Sequence, residues 1–181
     1  KFGQALRQLM AHALGQLPSG ARLGVVEIGQ SVPSYASDIQ AVMNPRCCDL
    51  TFVGTDPEFE PESPQLQERY PHMQVMALDL QGEAKEPPPL GHLVLLTLDF
   101  ASLAEATAAL HYARSCLAPG GSMVVLGLHP ARWIDFLCGG YRVHWHFFED
   151  ESLRSRQNSA QFWRQHLQKL QFANVSLLNF S

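Results

Sequence analysis

Leu23-Gly24-Val25-Val26-Glu27-Ile28-Gly29-Gln30-Ser31-Val32-Pro33-Ser34 is the stretch on which the fold turns. A short apolar run rich in β-branched residues leads into Gly29, the pattern of a buried strand feeding a loop. Before it, Phe2, Leu6, Leu9, Met10, Ala13, Leu14 and Leu17 recur at helical spacing, and Pro18, Ser19 and Gly20 close that helix. After it, 34–43 reads as a helix stopped by Asn44 and Pro45, and 50–55 (LTFVGT) as a second strand reaching Asp56. The acidic, proline-broken stretch 57–70 leaves room for a short helix only near 65–70. A third strand, 73–80 (MQVMALDL), closes on Asp79, and Pro87, Pro88 and Pro89 exclude helix or central strand before a fourth at 92–98 (HLVLLTL).

The second half continues the alternation. A helix over 102–117 opens with Ser102 as N-cap and Glu105 three residues on, the pattern of a capping box. Ala118-Pro119-Gly120-Gly121 turns the chain into a fifth strand, 122–128 (SMVVLGL). Beyond the weakly periodic 129–157, a helix over 159–170 puts Phe162, Trp163, Leu167 and Leu170 on one side, and 174–180 (NVSLLNF) reads as a last strand. Strands that are apolar without alternation, separated by helices, predict an α/β fold of Rossmann-like type. Its sheet is mostly parallel and doubly wound, with helices on both faces.

Composition narrows the function classes. The chain has 181 residues, 46% hydrophobic and 17% charged, which is a globular composition of single-domain size. Thirteen Lys and Arg, scattered, against seventeen Asp and Glu give −4, so the basic face that nucleic acid requires is missing. No apolar run reaches the ~18 residues of a membrane helix, and no signal peptide is visible. Cys47, Cys48, Cys116 and Cys138 form no CxxC and no Cys/His ligand spacing, so neither a zinc site nor a disulfide framework is expected. A reducing, cytoplasmic setting follows. The chain opens on Lys1 and stops on an apolar segment, which reads as a piece of a larger polypeptide.

In parallel α/β sheets ligands bind beyond the carboxyl ends of the strands, where strand order reverses. Glu27 and Gly29 end the first strand, Asp56 the second and Asp79 the third. An acid after the second strand can take both hydroxyls of a ribose, and one after the third an adenine amine. Each aspartate reads equally well as a cap on the segment that follows it. Among the eight histidines, His129 lies just after the fifth strand and is the best-placed base; Asp99 is a second candidate. His12, His111 and His166 fall on helices away from the cleft, and His144 and His146 alternate without a third ligand, so no metal is expected. Trp133, Phe136, Tyr141, Trp145, Phe147 and Phe148 read as the lining of an acyl tunnel, as core, or as an interdomain surface.

This order of segments resembles the core of class I S-adenosylmethionine-dependent methyltransferases, and Ala118 to Gly121 is similar to that family's L-x-P-G-G before strand five. More narrowly it resembles the C-methyltransferase domain of modular polyketide synthases, in the degenerate form also found in fatty-acid megasynthases. LTFVGTDP, ARSCLAPGGSMVVLGL, HPARWIDFLCGG, HFFEDESLR and QFWRQHLQKLQFANVSLL carry the likeness, in order, over nearly the whole chain. The resemblance implies a single methyltransferase-like core domain over 1–181, a fragment of a megasynthase. It also implies neighbouring domains of the same polypeptide, and an acyl carrier protein domain, as partners.

The departures from the pattern point away from catalysis. The family's glycine loop reads E-x-G-x-G-x-G; here Gly29 is kept, while Ser31 and Pro33 stand at the second and third glycines. Ser31 is expected to project where the methionine part of the cofactor would lie, and Pro33 fixes φ and removes a donor. The family's base, a His after strand four with an Asn before it, falls on Ala101 and Leu98, and its orienting Glu on Gly127. Alanine and glycine cannot move a proton. The expectation is therefore a pseudo-methyltransferase with no cofactor and no catalytic residue, its strand-end set Glu27, Gly29, Ser31, Asp56 and Asp79 vestigial. The competing expectation is an active C-methyltransferase that binds S-adenosylmethionine through that set and methylates the α-carbon of a carrier-bound β-ketoacyl chain. A third is a binding module that keeps a nucleotide-like ligand at Asp56.

Overall fold

The computed structural model describes residues 2–42, 46–82, 87–98, 100, 102–127, 145–147, 153–155 and 159–177. They fall into two compact units, one of Lys1–Phe100 with Ala104–Leu126, the other of Ala101–Leu103 with Gly127–Ser181.

The first unit is a five-stranded sheet. Its strands are β1 (Leu23–Gly29), β2 (Cys48–Gly54), β3 (Met73–Ala77), β4 (Gly91–Thr97) and β5 (Leu117–Leu126). The order is β3-β2-β1-β4-β5 and every pairing is parallel. The chain builds outward from β1 through β2 to β3, then crosses back to lay β4 on the other side of β1. Strand order reverses between β1 and β4, and the crevice beyond their carboxyl ends is the ligand position of such sheets. The helices are α1 (Phe2–Gly15), α2 (Ala36–Val42), α3 (Pro64–Arg69) and α4 (Leu103–Ser115).

The apolar face foreseen for α1 is the face that packs. Leu6 and Met10 are fully buried, and Ala13, Leu14 and Leu17 lie against a cluster that includes Leu23, Val25, Ile39, Phe52, Leu93 and Leu95. The alternate residues Val26, Ile28, Val94 and Leu96 are buried as well, so β1 and β4 are covered on both faces. Removing both faces from water explains the unbroken apolar runs. α4 buries Ala106, Ala109, Leu110 and Ala113, mostly small side chains that allow close approach.

Three expectations change. Ala118 to Gly121 is no separate turn: these four residues of β5 stand between Leu117 and Ser122 where β4 has only His92 between Gly91 and Leu93, a bulge inside the strand. Gly120 sits there at φ +77°, a conformation open to glycine at little cost. Asn174 to Leu177, read as the start of a last strand, is not in a strand; Gln171 and Asn174 adopt φ of 63° and 54°, which turns the backbone out of extended geometry. Residues 178–180 lie outside the described residues. In the second unit β6 (Trp145–Phe147) pairs antiparallel with β7 (Leu153–Ser155), a ribbon that the weak periodicity of 129–157 did not reveal. The helix foreseen over 159–170 is α5 (Ala160–Lys169), and Ser159 caps it by accepting from the Phe162 amide at 3.1 Å.

Gly54 closes β2 beneath Phe59, whose ring occupies the place a Cβ would take and packs edge-on against Phe52 at 5.5 Å between centroids. Gly54→Ala is expected to displace that ring and lower stability by about 1–3 kcal/mol in urea unfolding. Gly3→Ala, where a Cβ meets nothing within 4 Å, is expected to change it by less than about 1 kcal/mol.

Candidate functional site

Glu27 is the only acid inside the β1 run, and it is 1% exposed. Its Oε1 accepts the amides of Ser34 at 2.6 Å and Tyr35 at 2.9 Å, so the carboxyl folds the loop back over the strand end and starts α2. Its Oε2 is buried without a hydrogen-bond partner among the described residues. Burial outweighs the amide bonds and pushes the Glu27 carboxyl up to about 7. Burial, then the Glu27 charge, also raises the Tyr35 phenol, while a hydrogen bond with Thr97 of β4 opposes the rise.

Gly29 lies against Phe52, whose ring would be 3.5 Å from a Cβ at that position. Its carbonyl accepts from the Thr55 amide at 2.9 Å and from the Thr55 hydroxyl at 3.2 Å, which ties the end of β1 to the end of β2. Ser31 is exposed, and its hydroxyl donates to Asp56 Oδ2 at 2.6 Å. The other oxygen, Oδ1, accepts the Glu58 amide at 2.9 Å. These two bonds, Ser31 first, hold the Asp56 carboxyl below the usual aspartate range. Pro33 is buried between Val32 and Ser34, both exposed. Asp79 is exposed and accepts the Gln81 amide at 2.9 Å, capping its own turn as the plainer sequence reading had it.

Glu27, Gly29, Ser31 and Asp56 are thus brought together around one loop, Gln30 to Tyr35. Leu98 follows β4, and its amide donates to the Leu126 carbonyl at 2.7 Å. Gly127 follows β5 and is exposed. Ala101, Asp99, His129, Cys138 and His144 lie outside the described residues, as do Trp133, Phe136, Tyr141 and Phe148. Trp145, His146 and Phe147 form β6. His12 bonds Gln16 at 2.8 Å, His111 is exposed on α4, and His166 stacks on Phe162 at 6.0 Å. Among the described residues no three metal-ligating side chains come together, and no helix is long and apolar enough to cross a membrane. Cys48 and Cys116 are free, and burial pushes both thiols up to about 11, so they behave as small apolar groups. Cys47, also free, is exposed.

Tyr35, Thr97 and Glu58 carry no motif and were not singled out in the sequence. Only the fold brings Thr97 near Tyr35, and the Glu58 bond is made by a backbone amide, to which side-chain identity gives no clue.

No protein-family model and no curated protein matches the chain. Solved structures do. The CurJ carbon methyltransferase superposes on 99% of this chain with a TM-score of 0.74 at 19% identity. The chain has the class I methyltransferase fold. The DszA carbon methyltransferase covers 93% with a TM-score of 0.67 at 18% identity, and the CMeT domain of the citrinin polyketide synthase 93% with 0.63 at 19%. This methyltransferase-fold chain spans about half of each, 49%, 46% and 45% respectively.

S-adenosylmethionine, the cofactor associated with the fold, would meet strand-end acids that already bond the chain. Asp56 Oδ2 already accepts the Ser31 hydroxyl, though the carboxylate keeps acceptor positions for a diol, and Glu27 is buried. Ser31→Ala is expected to raise the Asp56 titration midpoint toward the ordinary aspartate range, because it removes the first cause of the depression. Carboxylate chemical shifts followed against pH check this; an unchanged midpoint would remove Ser31 from the account.

Proposed function

We propose that this chain is a non-catalytic methyltransferase-fold domain, a pseudo-methyltransferase, within a polyketide-synthase-type or related megasynthase polypeptide. Its role there is structural, toward neighbouring domains of the same polypeptide and an acyl carrier domain. The observation that carries the reading is the turn of the strand-end acids onto the chain itself: Asp56 onto Ser31 and the Glu58 amide, Glu27 onto the Ser34 and Tyr35 amides. A site that has to receive a nucleoside presents such acceptors outward. The residues aligned with the family base and its orienting acid, Ala101 and Gly127, support the same reading, since neither side chain transfers a proton. The likeness in fold to carbon methyltransferases, one of them a polyketide synthase domain, supports the parentage.

The test is calorimetric titration with S-adenosylmethionine and S-adenosylhomocysteine, alongside a methyl-transfer assay on a carrier-bound β-ketoacyl substrate. The expected result is no heat at millimolar ligand and no methylated product. Micromolar binding with methyl transfer would establish the active C-methyltransferase and make His129 and Asp99 the first residues to substitute. Binding without transfer would leave a nucleoside-binding module.

A further inference from the structure

Glu27 stands apart from every other titratable group among the described residues. It is buried at the end of the central strand, Oε1 accepting the Ser34 and Tyr35 amides, the Ala36 amide also bearing on the carboxyl, and Oε2 without a described partner. An ionised carboxylate has about four acceptor positions, and its charge demands that they be met. In register with Glu27 stand Phe52 on β2 and Leu95 on β4, both fully buried. The titratable groups that bear on it are the Tyr35 phenol, turned toward Thr97 of β4, and Asp38 of α2, whose like charge disfavours ionisation. No cation is among them.

A neutral carboxyl suits this geometry. With a proton on Oε2, Oε1 still accepts both amides and no buried charge is left unmet. Loss of the proton to solvent leaves an unmet charge on the buried Oε2, and the relief within reach is water, admitted by lifting Ser34 and Tyr35 away. We infer that the Glu27 carboxyl is a proton-operated latch on the loop beyond β1, holding Ser34 and Tyr35 while protonated and releasing them when the proton leaves. The loop it holds carries Ser31 and Pro33, so release also loosens the hydroxyl that covers Asp56. The direction follows from linkage. The folded carboxyl titrates near 7, above the 4.5 of an ordinary glutamate, so the proton stabilises the latched form fully below about 4.5, and that stabilisation is lost as pH rises from there through about 7.

Amide hydrogen exchange in the 15N-labelled domain tests the latch, with rates divided by intrinsic rates to remove base catalysis. Protection of Ser34 and Tyr35 is expected to fall by up to about tenfold per pH unit between about 4.5 and 7, where one proton is released per opening, and to be level above about 7. Val26, inside β1, is expected to stay level over the same range. Glu27→Gln keeps the Oε1 acceptor but cannot ionise, so its Ser34 and Tyr35 protection is expected to be independent of pH. A level profile in the unmodified protein, or the same slope in Glu27→Gln, overturns the proposal. Should Glu27→Gln fail to fold, infrared spectra of the unmodified protein with 13C-labelled glutamate decide. A neutral-acid carbonyl band at pH 6 that disappears near pH 7, where Ser34 and Tyr35 protection levels off, supports the latch, and its absence at pH 6 overturns it.

Discussion

The bonds that the Glu27 carboxyl accepts from the amides of Ser34 and Tyr35 are the constraint on which the carboxyl end of the sheet depends. A strand that ends inside a sheet leaves the next amides without partners, and each unmet buried amide costs about 1–3 kcal/mol. Glu27 meets two of them at once and in doing so sets the path of the chain from β1 into α2. That path brings Ser31 to Asp56 and buries Pro33. Thr55 fastens the same corner from the β2 side through the Gly29 carbonyl.

A fold and a site are separable here. The parallel sheet, its strand order and the reversal between β1 and β4 are those of carbon methyltransferases, and they create a crevice whatever lines it. What the lining can do depends on which way a few oxygens point. Asp56 keeps acceptor positions beyond the two that the Ser31 hydroxyl and the Glu58 amide fill, and an exposed hydroxyl-to-carboxylate bond contributes only about 1 kcal/mol, so Ser31 alone is a modest obstacle. Pro33 adds one that cannot rotate away, because its ring fixes the backbone of the loop. The two act at neighbouring positions of one turn, which is why the reading rests on the loop as a whole.

The strands of the sheet were legible because burial on both faces leaves a plain signature: Leu23 to Gly29 matches β1 residue for residue, and β2 and β4 depart from expectation only at their ends. The edges were harder. β5 absorbs Ala118 to Gly121 as a bulge, and among the described residues it pairs with β4 alone, at a sheet edge where bulges are common. The β6–β7 ribbon has three residues on each side, too few to show a period. At the site, the identities of Glu27, Gly29, Ser31 and Asp56 were readable from position along the strands. Their hydrogen bonds were not, because a carboxylate that accepts from a neighbouring loop and one that waits for a ligand look the same in sequence. The departures at Ser31 and Pro33 supplied the hint, and the Ser31–Asp56 contact gives it a physical form.

The central claim is that the loop beyond β1 closes on its own chain. A crystal structure of the domain grown with saturating S-adenosylhomocysteine tests it most directly. The account predicts the Ser31 hydroxyl still on Asp56 Oδ2, with no nucleoside between β1 and β2. A ribose bound to Asp56, with Ser31 swung aside and the Gln30 to Tyr35 loop re-formed around the ligand, would contradict it.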